Sequence, residues 1–172
     1  MLYAAYGSNL NMKQMMSRCP SARVVGPAVL HGYRLTFQGW SGGWRGGVAT
    51  VVAEKGSTVP VAIYEICAKE DVTRLDAFEG CPVVYACVEV KVVTPEGRKV
   101  KVWTYQRRAA GTMAPSQEYV ATIVEGLRDH GYRETHALKA AISRAVREES
   151  DLLAAWIRAN PPKAPIAVPA RT

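Results

Sequence analysis

The sequence predicts an α+β fold, in which a curved sheet or small barrel carries helices on its outside and at its end. Three observations lead to this prediction. Alternating or β-branched segments dominate the first 107 positions, apolar residues recur with a helical period from Ser116 onward, and no internal repeat is found. At 172 residues one compact core is the default, so we expect a single domain over residues 1–160 and a proline-rich tail over 161–172.

The first half of the chain is predicted to consist mostly of strands. Its elements are a strand at 2–5, one or two helical turns from Met12 to Cys19, a strand at 27–37 interrupted by His31-Gly32, and a hairpin formed by 46–53 and 59–66. The hairpin loop falls on EKGST, whose small and polar residues break the β-branched pattern.

The second half begins with a short helix and ends with longer ones. Its predicted elements are a helix at 69–78, two alternating strands around Pro95-Glu96-Gly97, a helix from the cap Ser116 to about His130, and one long or two short helices over 134–160. Acidic residues in the first turn of the 69–78 helix suit its positive end. Ser116 is a good helix cap, and Gly131 is a common helix-ending residue.

The net charge of +7 raises the question of a nucleic-acid partner. The densest positive cluster consists of Arg98, Lys99, Lys101, Arg107 and Arg108. No zinc-finger, RRM or KH pattern accompanies the cluster, and its aromatic residues are not interleaved as stacking platforms would be. We therefore expect a solvated face and no nucleic-acid partner, although such a field also attracts small anionic substrates.

Membrane, secretory and metal-binding classes are not indicated by the sequence. No apolar stretch approaches the roughly 20 residues that cross a bilayer, and the first residues lack the features of a secretory signal, so we expect a cytoplasmic protein. The cysteines lack C-x-x-C spacing and are expected to be reduced and mostly buried; they are Cys19, Cys67, Cys81 and Cys87. The three histidines are dispersed, so we expect no metal.

The pentapeptide YGSNL, Tyr6 to Leu10, lies where the first predicted strand stops and a helical pattern begins. A strand-to-helix turn aligns backbone N–H groups, and the first turn of the helix adds a partial positive charge. It forms an anion site when a glycine lets a ligand approach the backbone, and Ser8 and Asn9 then cap the helix or contact the ligand. Taken alone, the pentapeptide favours a simple capped strand-to-helix turn over an anion site. A nucleophilic Ser8 is the weakest interpretation, because the G-x-S-x-G pattern is missing.

Glu79 breaks a local rule of helix composition. It falls at the end of the helix predicted at 69–78 and is followed by Gly80, so its carboxylate meets the negative end of the helix dipole. Local rules are broken most often at functional sites, although ordinary exposed glutamates also occur at helix ends. Beside Phe78 and Val83, a partly buried Glu79 would have a raised pKa and could exchange protons near neutral pH.

A glycine-rich segment, WSGGWRGGVAT, precedes the strand at 46–53 and indicates a flexible loop or close backbone packing, with Trp44 as one wall. Together these segments resemble the γ-glutamylcyclotransferase family. The matching motifs are Y-G-S-N-L at 6–10, W-R-G-G-V-A-T at 44–50, L-D-A-F-E-G at 75–80, Tyr85, and P-S-Q-E-Y at 115–119. They occur in the family's order over residues 3–131.

The resemblance implies a small mixed β-barrel with flanking helices and a helical C-terminal part. It also implies a cavity for a small γ-glutamyl substrate and an enzyme that cyclises γ-glutamyl amines or amino acids to 5-oxoproline, with Glu79 as general acid and base. The substrate supplies its own nucleophile, its α-amino group, so no cofactor is expected. The residues implied to bind substrate are Tyr6, Gly7, Ser8, Asn9, Leu10, Trp44, Gly46, Gly47, Tyr85 and Tyr119. The loop from Glu79 to Tyr85 is a residue shorter than in the animal enzymes and contains Pro82, so the resemblance leaves the shape of the leaving-group side open.

Two alternatives stay open at this level. The same cyclisation could unmask a γ-glutamylated intermediate in a biosynthetic pathway. Alternatively, the cavity or the basic hairpin could serve a non-catalytic binding module, although the combination of Glu79 with the complete YGSNL turn speaks against this. The sequence also leaves a homodimer open.

Overall fold

A computed structural model describes residues 1–108, 110–133 and 136–159, and within these ranges five strands close into a barrel. The strands are β1 (Leu2–Ala5), β2 (Ala22–Ser41), β3 (Gly46–Ile66), β4 (Tyr85–Val93) and β5 (Lys99–Arg107). The helices are α1 (Met12–Arg18), α2 (Lys69–Glu79), α3 (Gln117–Asp129) and α4 (His136–Ala159), and a 3-10 helix covers Ser8–Leu10. The strand order is β1-β3-β2-β4-β5, with β1 parallel to β5 and the other pairs antiparallel. This mixed barrel with helices confirms the predicted fold class.

Strands β2 and β3 form one long hairpin, so the hairpin predicted around EKGST is wrong. Both halves of β3 pair with β2, with His31 facing Thr58 and Tyr33 facing Ala53. Between these pairs β3 holds residues 54–57 while β2 holds a single glycine, and a glycine on each strand has a positive φ. The polar segment is therefore a bulge within one strand, and the break in the β-branched pattern marks a bend of the barrel wall.

The turn after β1 is anchored from its outer side. Helix α3 packs against it at Gly126, where a Cβ atom would lie only 2.4 Å from the carbonyl carbon of Leu10. The Leu10 carbonyl accepts a hydrogen bond from the Tyr64 hydroxyl at 3.2 Å and lies 3.0 Å from Nε2 of His130. Leu10 and Tyr64 are fully buried, and each such side chain contributes about 1.5–3 kcal/mol to stability. The anchored turn thereby presents the residues before Leu10 to the inside of the barrel end.

The remaining elements follow the prediction closely. The hairpin between β4 and β5 turns through a Thr94 N–H bond to the Arg98 carbonyl, and Ser116 caps α3 by accepting a bond from the Tyr119 N–H at 3.2 Å. The C-terminal helix is one continuous element, α4. Positions 134, 135 and 160 and the predicted tail at 161–172 lie outside the described residues, so the predicted domain boundary stays a prediction.

The cysteines correct one expectation. All four are free, but Cys67 and Cys87 are exposed, Cys81 is partly exposed, and Cys19 alone of the four is fully buried. Across the described residues, none of the helices combines the length and the apolar composition that a membrane crossing requires.

Candidate active site

A cavity of about 340 Å³ opens at one end of the barrel. Its walls come from the turn after β1, the β2–β3 connection with the start of β3, the end of α2, and the facing ends of β4 and β5. The structure brings together in this lining eight residues predicted from the sequence: Tyr6, Gly7, Ser8, Asn9, Trp44, Glu79, Tyr85 and Tyr119. The segments that carried the sequence signals therefore meet in one place, although up to 113 positions separate them.

Glu79 is the acidic side chain of the cavity. It is the last residue of α2, and the helix ends there because Gly80 adopts the left-handed conformation (φ 63°) while the Cys81 N–H returns to the Asp76 carbonyl at 2.9 Å. The Glu79 side chain is 17% exposed, and burial raises its pKa above the ordinary value. The Arg18 guanidinium and a hydrogen bond from Asn9 oppose that pKa shift.

The source of this burial differs from the expectation. Phe78 and Val83 were expected to shield Glu79, but they are 61% and 79% exposed. Phe78 stands at the rim, where its ring lies 4.8 Å from the guanidinium carbon of Arg18. Phe78 lines the cavity, whereas Val83 does not, so the carboxyl group of Glu79 owes its burial to the cavity lining as a whole.

Asn9 orients the Glu79 carboxylate through a saturated network. Its side chain is buried, and Nδ2 donates to Oε1 of Glu79 at 3.0 Å and to the Tyr3 hydroxyl at 3.0 Å. Its Oδ1 accepts bonds from Nη1 of Arg18 at 2.8 Å and from Nε2 of Gln14 at 3.3 Å. Nη1 of Arg18 also lies 3.6 Å from Oε1 of Glu79. Because every donor and acceptor of the amide is used, the Asn9 side chain has one favoured orientation, and it fixes the position of the carboxylate.

The YGSNL turn contributes to the site differently from the prediction. Neither Ser8 nor Asn9 caps a helix; Asn11 caps α1 by accepting a bond from the Gln14 N–H. Gly7 has a φ of −108°, so no left-handed backbone requires a glycine there. The fit around it is tight, because a Cβ at Gly7 would lie 3.2 Å from the Tyr119 hydroxyl and 3.3 Å from the Cβ of Ala49.

Leu10, predicted to bind substrate, lies outside the cavity lining. Its side chain belongs to the core, and its N–H donates to the Gly7 carbonyl at 3.0 Å. Its backbone donor is thus occupied by the turn itself. Gly7, Ser8 and Asn9, which precede it, do line the cavity.

Tyrosine side chains also line the cavity. The Tyr119 hydroxyl accepts a bond from the Ala49 N–H at 3.1 Å, and the Tyr85 hydroxyl donates to the Ala49 carbonyl at 3.0 Å. The Tyr6 hydroxyl donates to the Tyr105 carbonyl. Trp44 packs against Tyr119 with ring centroids 4.8 Å apart. Burial raises the pKa of Tyr119 to about 12, so this hydroxyl stays neutral at physiological pH.

Gly46 and Gly47, also predicted to bind substrate, do not line the cavity. They pack against the segment before α3, where the Gly47 N–H donates to the Ala114 carbonyl at 2.8 Å. A Cβ at Gly47 would lie 2.1 Å from the Met113 carbonyl oxygen. The glycines allow a close backbone approach, as their number suggested, and they position Ala49 in the cavity wall.

With this geometry in place, comparison with known proteins is informative. Residues 3–123 match the model of the family described as "Gamma-glutamyl cyclotransferase, AIG2-like". The chain belongs to this family.

Relatives with the same name support the assignment to the γ-glutamyl cyclotransferase family. The γ-glutamylcyclotransferase of Mus musculus is 32% identical over 143 residues, which cover 80% of this chain and 76% of the mouse protein. The Homo sapiens protein of that name is 33% identical over 135 residues, covering 76% and 71%. A solved structure named γ-glutamyl cyclotransferase superposes with a TM-score of 0.73 at 28% identity, covering 87% of this chain and 86% of that one. The family suspected from the sequence motifs is confirmed.

Several residues of this γ-glutamyl cyclotransferase family member were missed in the sequence. Tyr3 and Arg18 belong to the Asn9 network. Tyr105 also lines the cavity, and its hydroxyl donates to Oδ1 of Asp76 at 2.6 Å. Arg107 also lines the cavity, although it was assigned to a solvated basic face. A polar or charged residue at the end of an element adjoining a recognised motif is the one signal that could have found Arg18 and Arg107.

Proposed function

We propose that the protein is a γ-glutamyl cyclotransferase that converts a γ-glutamyl amino acid or amine to 5-oxoproline and the free amine, with Glu79 as general acid and base. The observation that carries the assignment of Glu79 is its carboxyl group, buried in the cavity wall and held by Asn9 at 3.0 Å. The family membership of the chain supports the reaction class.

The cavity first binds the γ-glutamyl group in a folded conformation. The N–H groups of Gly7, Ser8 and Asn9 are suited to hold the α-carboxylate of the substrate or the oxyanion that develops on the γ-carbonyl oxygen. The tyrosine side chains beside them limit the width of the cavity. Holding the α-amine against the γ-carbonyl at near-attack distance is an effect with a ceiling of roughly 7–11 kcal/mol.

The proton transfers then pass through Glu79. The ionised carboxylate accepts a proton from the α-ammonium group, and the resulting amine attacks the γ-carbonyl carbon to close a five-membered ring. The ring nitrogen of the tetrahedral intermediate still carries two hydrogen atoms. Glu79 gives its proton to the leaving nitrogen as the bond between that nitrogen and carbon breaks, then takes the second proton from the ring nitrogen and passes it to the departing amine, which leaves as an ammonium ion. The carboxylate is regenerated, so the reaction is balanced, and such acid–base catalysis typically contributes about 10²–10⁴-fold.

The electrostatic environment suits this role. Burial raises the pKa of Glu79, which makes the carboxylate a better base than an exposed glutamate, while Arg18 and Asn9 keep the ionised form accessible. The buried tyrosines around it stay neutral. One group is therefore placed to hold the proton between the two steps.

The non-catalytic alternative finds little support in the charges. Two members of the basic cluster are paired on the surface, Arg98 with Glu96 and Lys101 with Glu89. A role in glutathione metabolism and the use of the reaction to unmask a biosynthetic intermediate both fit the chemistry, and they differ in the leaving amine. We place the protein in the cytoplasm, because exposed free thiols suit a reducing compartment.

The proposed reaction is tested with γ-glutamyl-alanine and its Nα-acetyl derivative. We expect 5-oxoproline and alanine from the first compound and no product from the second, because acetylation removes the nucleophile. Release of glutamate in place of 5-oxoproline, or turnover of the acetylated compound, would indicate a protein nucleophile and contradict the cyclisation.

A further inference from the structure

Two arginines line the cavity, and their surroundings differ. Arg18 is engaged by Asn9, Glu79 and the Phe78 ring. Arg107 forms no ion pair with any residue that the structure describes. Its side chain interacts with the Tyr85 side chain, but its buried Nε has no hydrogen-bond partner among the described residues. A buried guanidinium donor without a partner is costly, which indicates that an acceptor arrives from outside the chain.

The Arg107 guanidinium is held firmly in spite of this missing partner. The backbone N–H of Arg107 donates to Oγ1 of Thr50 at 2.9 Å, and Arg107 is paired with Tyr85 across the β4–β5 ladder. The guanidinium lies over the Tyr85 ring at 5.5 Å from the centroid. It also packs on the backbone of Gly39, where a Cβ atom would lie 2.4 Å from Nη2. The absence of a side chain at Gly39 provides the space that the Arg107 guanidinium group occupies.

This position is on the rim side of the cavity. Ser8 and Asn9, on the floor, are buried, whereas Trp40, next to Gly39, is 60% exposed. If the floor holds the γ-glutamyl group as proposed above, the leaving amine extends toward the rim and reaches Arg107. The guanidinium fork matches a carboxylate in shape and charge, and the indole of Trp40 offers an apolar surface beside it.

We propose that Arg107 determines specificity at the leaving-group side of the cavity by binding a carboxylate on the departing amine. The proposal rests on the proposed cyclotransferase function. It predicts that the enzyme prefers amino acids or peptides over simple amines as leaving groups.

The experiment compares γ-glutamyl-alanine with γ-glutamyl-alaninamide, which differ in the charge of the leaving group and hardly in size. We expect the wild-type protein to show a kcat/KM roughly 10- to 100-fold higher for the carboxylate. Arg107→Met should lose this preference by lowering kcat/KM for the carboxylate substrate alone, and Arg107→Lys should retain part of it. Arg98→Met, an exposed arginine at the other end of the hairpin, controls for the loss of one positive charge.

The outcomes separate the two proposals. Equal wild-type efficiency on both substrates, or an equal loss on both in Arg107→Met, would overturn the carboxylate subsite and leave the cyclotransferase function standing. If the wild-type protein releases no 5-oxoproline from either substrate, the proposed function fails and the subsite with it. If Arg107→Met does not fold, the ratio of the two kcat/KM values in the wild-type protein and in Arg107→Lys still tests the carboxylate subsite.

Discussion

Replacing Glu79 by glutamine tests the centre of the proposed mechanism. The amide has the size of the carboxyl group and can accept the Asn9 bond through its oxygen, while Arg18 keeps its 2.8 Å bond to Oδ1 of Asn9. The variant should therefore fold. It cannot take the α-ammonium proton, so we expect kcat to fall by about 10²–10⁴-fold, which corresponds to roughly 3–5 kcal/mol of barrier.

The assay follows 5-oxoproline release over a range of pH. In the wild-type protein kcat should fall on the acid side as Glu79 takes up a proton, with an apparent pKa above the ordinary 4.5 because burial raises it. In Glu79→Gln this acid limb should disappear together with the activity. Glu89→Gln, an exposed glutamate on β4, should behave as the wild-type protein.

Stability supplies an independent check with a definite sign. Because the folded-state pKa of Glu79 is raised, the stability that its protonated form contributes is complete below the unfolded value near 4.5 and is lost as pH rises through the folded pKa. The unfolding free energy of Glu79→Gln relative to wild type should accordingly increase over that interval. Wild-type kcat in the glutamine variant, with an unchanged acid limb, would refute the assignment of Glu79.

Substitutions at three further positions probe the surroundings of Glu79. Arg18→Met should move the acid limb of kcat to higher pH, since the guanidinium lowers the pKa of Glu79; a limb that stays in place would contradict this coupling. Gly7→Ala should raise KM for a γ-glutamyl substrate, because the added methyl group would lie 3.2 Å from the Tyr119 hydroxyl and push it aside; Gly7→Val should raise KM further. Unchanged KM values would argue against the turn as a binding element. Gly47→Ala should lower the unfolding free energy by about 1–3 kcal/mol in chemical denaturation, because its methyl would lie 2.1 Å from a backbone carbonyl oxygen; a gain in stability would mean that the packing is looser than described.

Local patterns were sufficient for most of the elements. Alternation, caps and glycine placement identified the hairpin at 85–107 and the helix capped by Ser116, because those signals lie within a few residues of one another. The bulge at 54–57 was misread because a polar interruption with a glycine has the same local signature in a hairpin turn and in a bulged strand. Pairing with β2 decides between them, and that pairing is not local.

The same distinction applies to the site. Glu79 could be identified from the sequence because its conflict with the helix dipole is local. The motifs around it predicted many of the residues that line the cavity. For Arg18 and Arg107 the sequence offers only a weak signal, a charged residue at the end of an element near a recognised motif, because their importance depends on which charges and empty spaces they meet after folding. Gly46 and Gly47 show the reverse error, because glycine reports a close approach without saying whether a ligand or the protein's own backbone makes it.

The two hydroxyls that meet at Ala49 have a consequence for how the cavity is built. One edge of β3 at Ala49 pairs with Phe37 of β2, and its other edge carries an N–H and a carbonyl that a neighbouring strand would ordinarily take. Tyr119 and Tyr85 take them instead, at 3.1 Å and 3.0 Å. The cavity thus occupies the place of an absent strand, with side chains completing the backbone bonding. A tyrosine can be replaced by a single substitution, whereas a strand cannot. The width of the cavity can therefore change without any change in strand pairing.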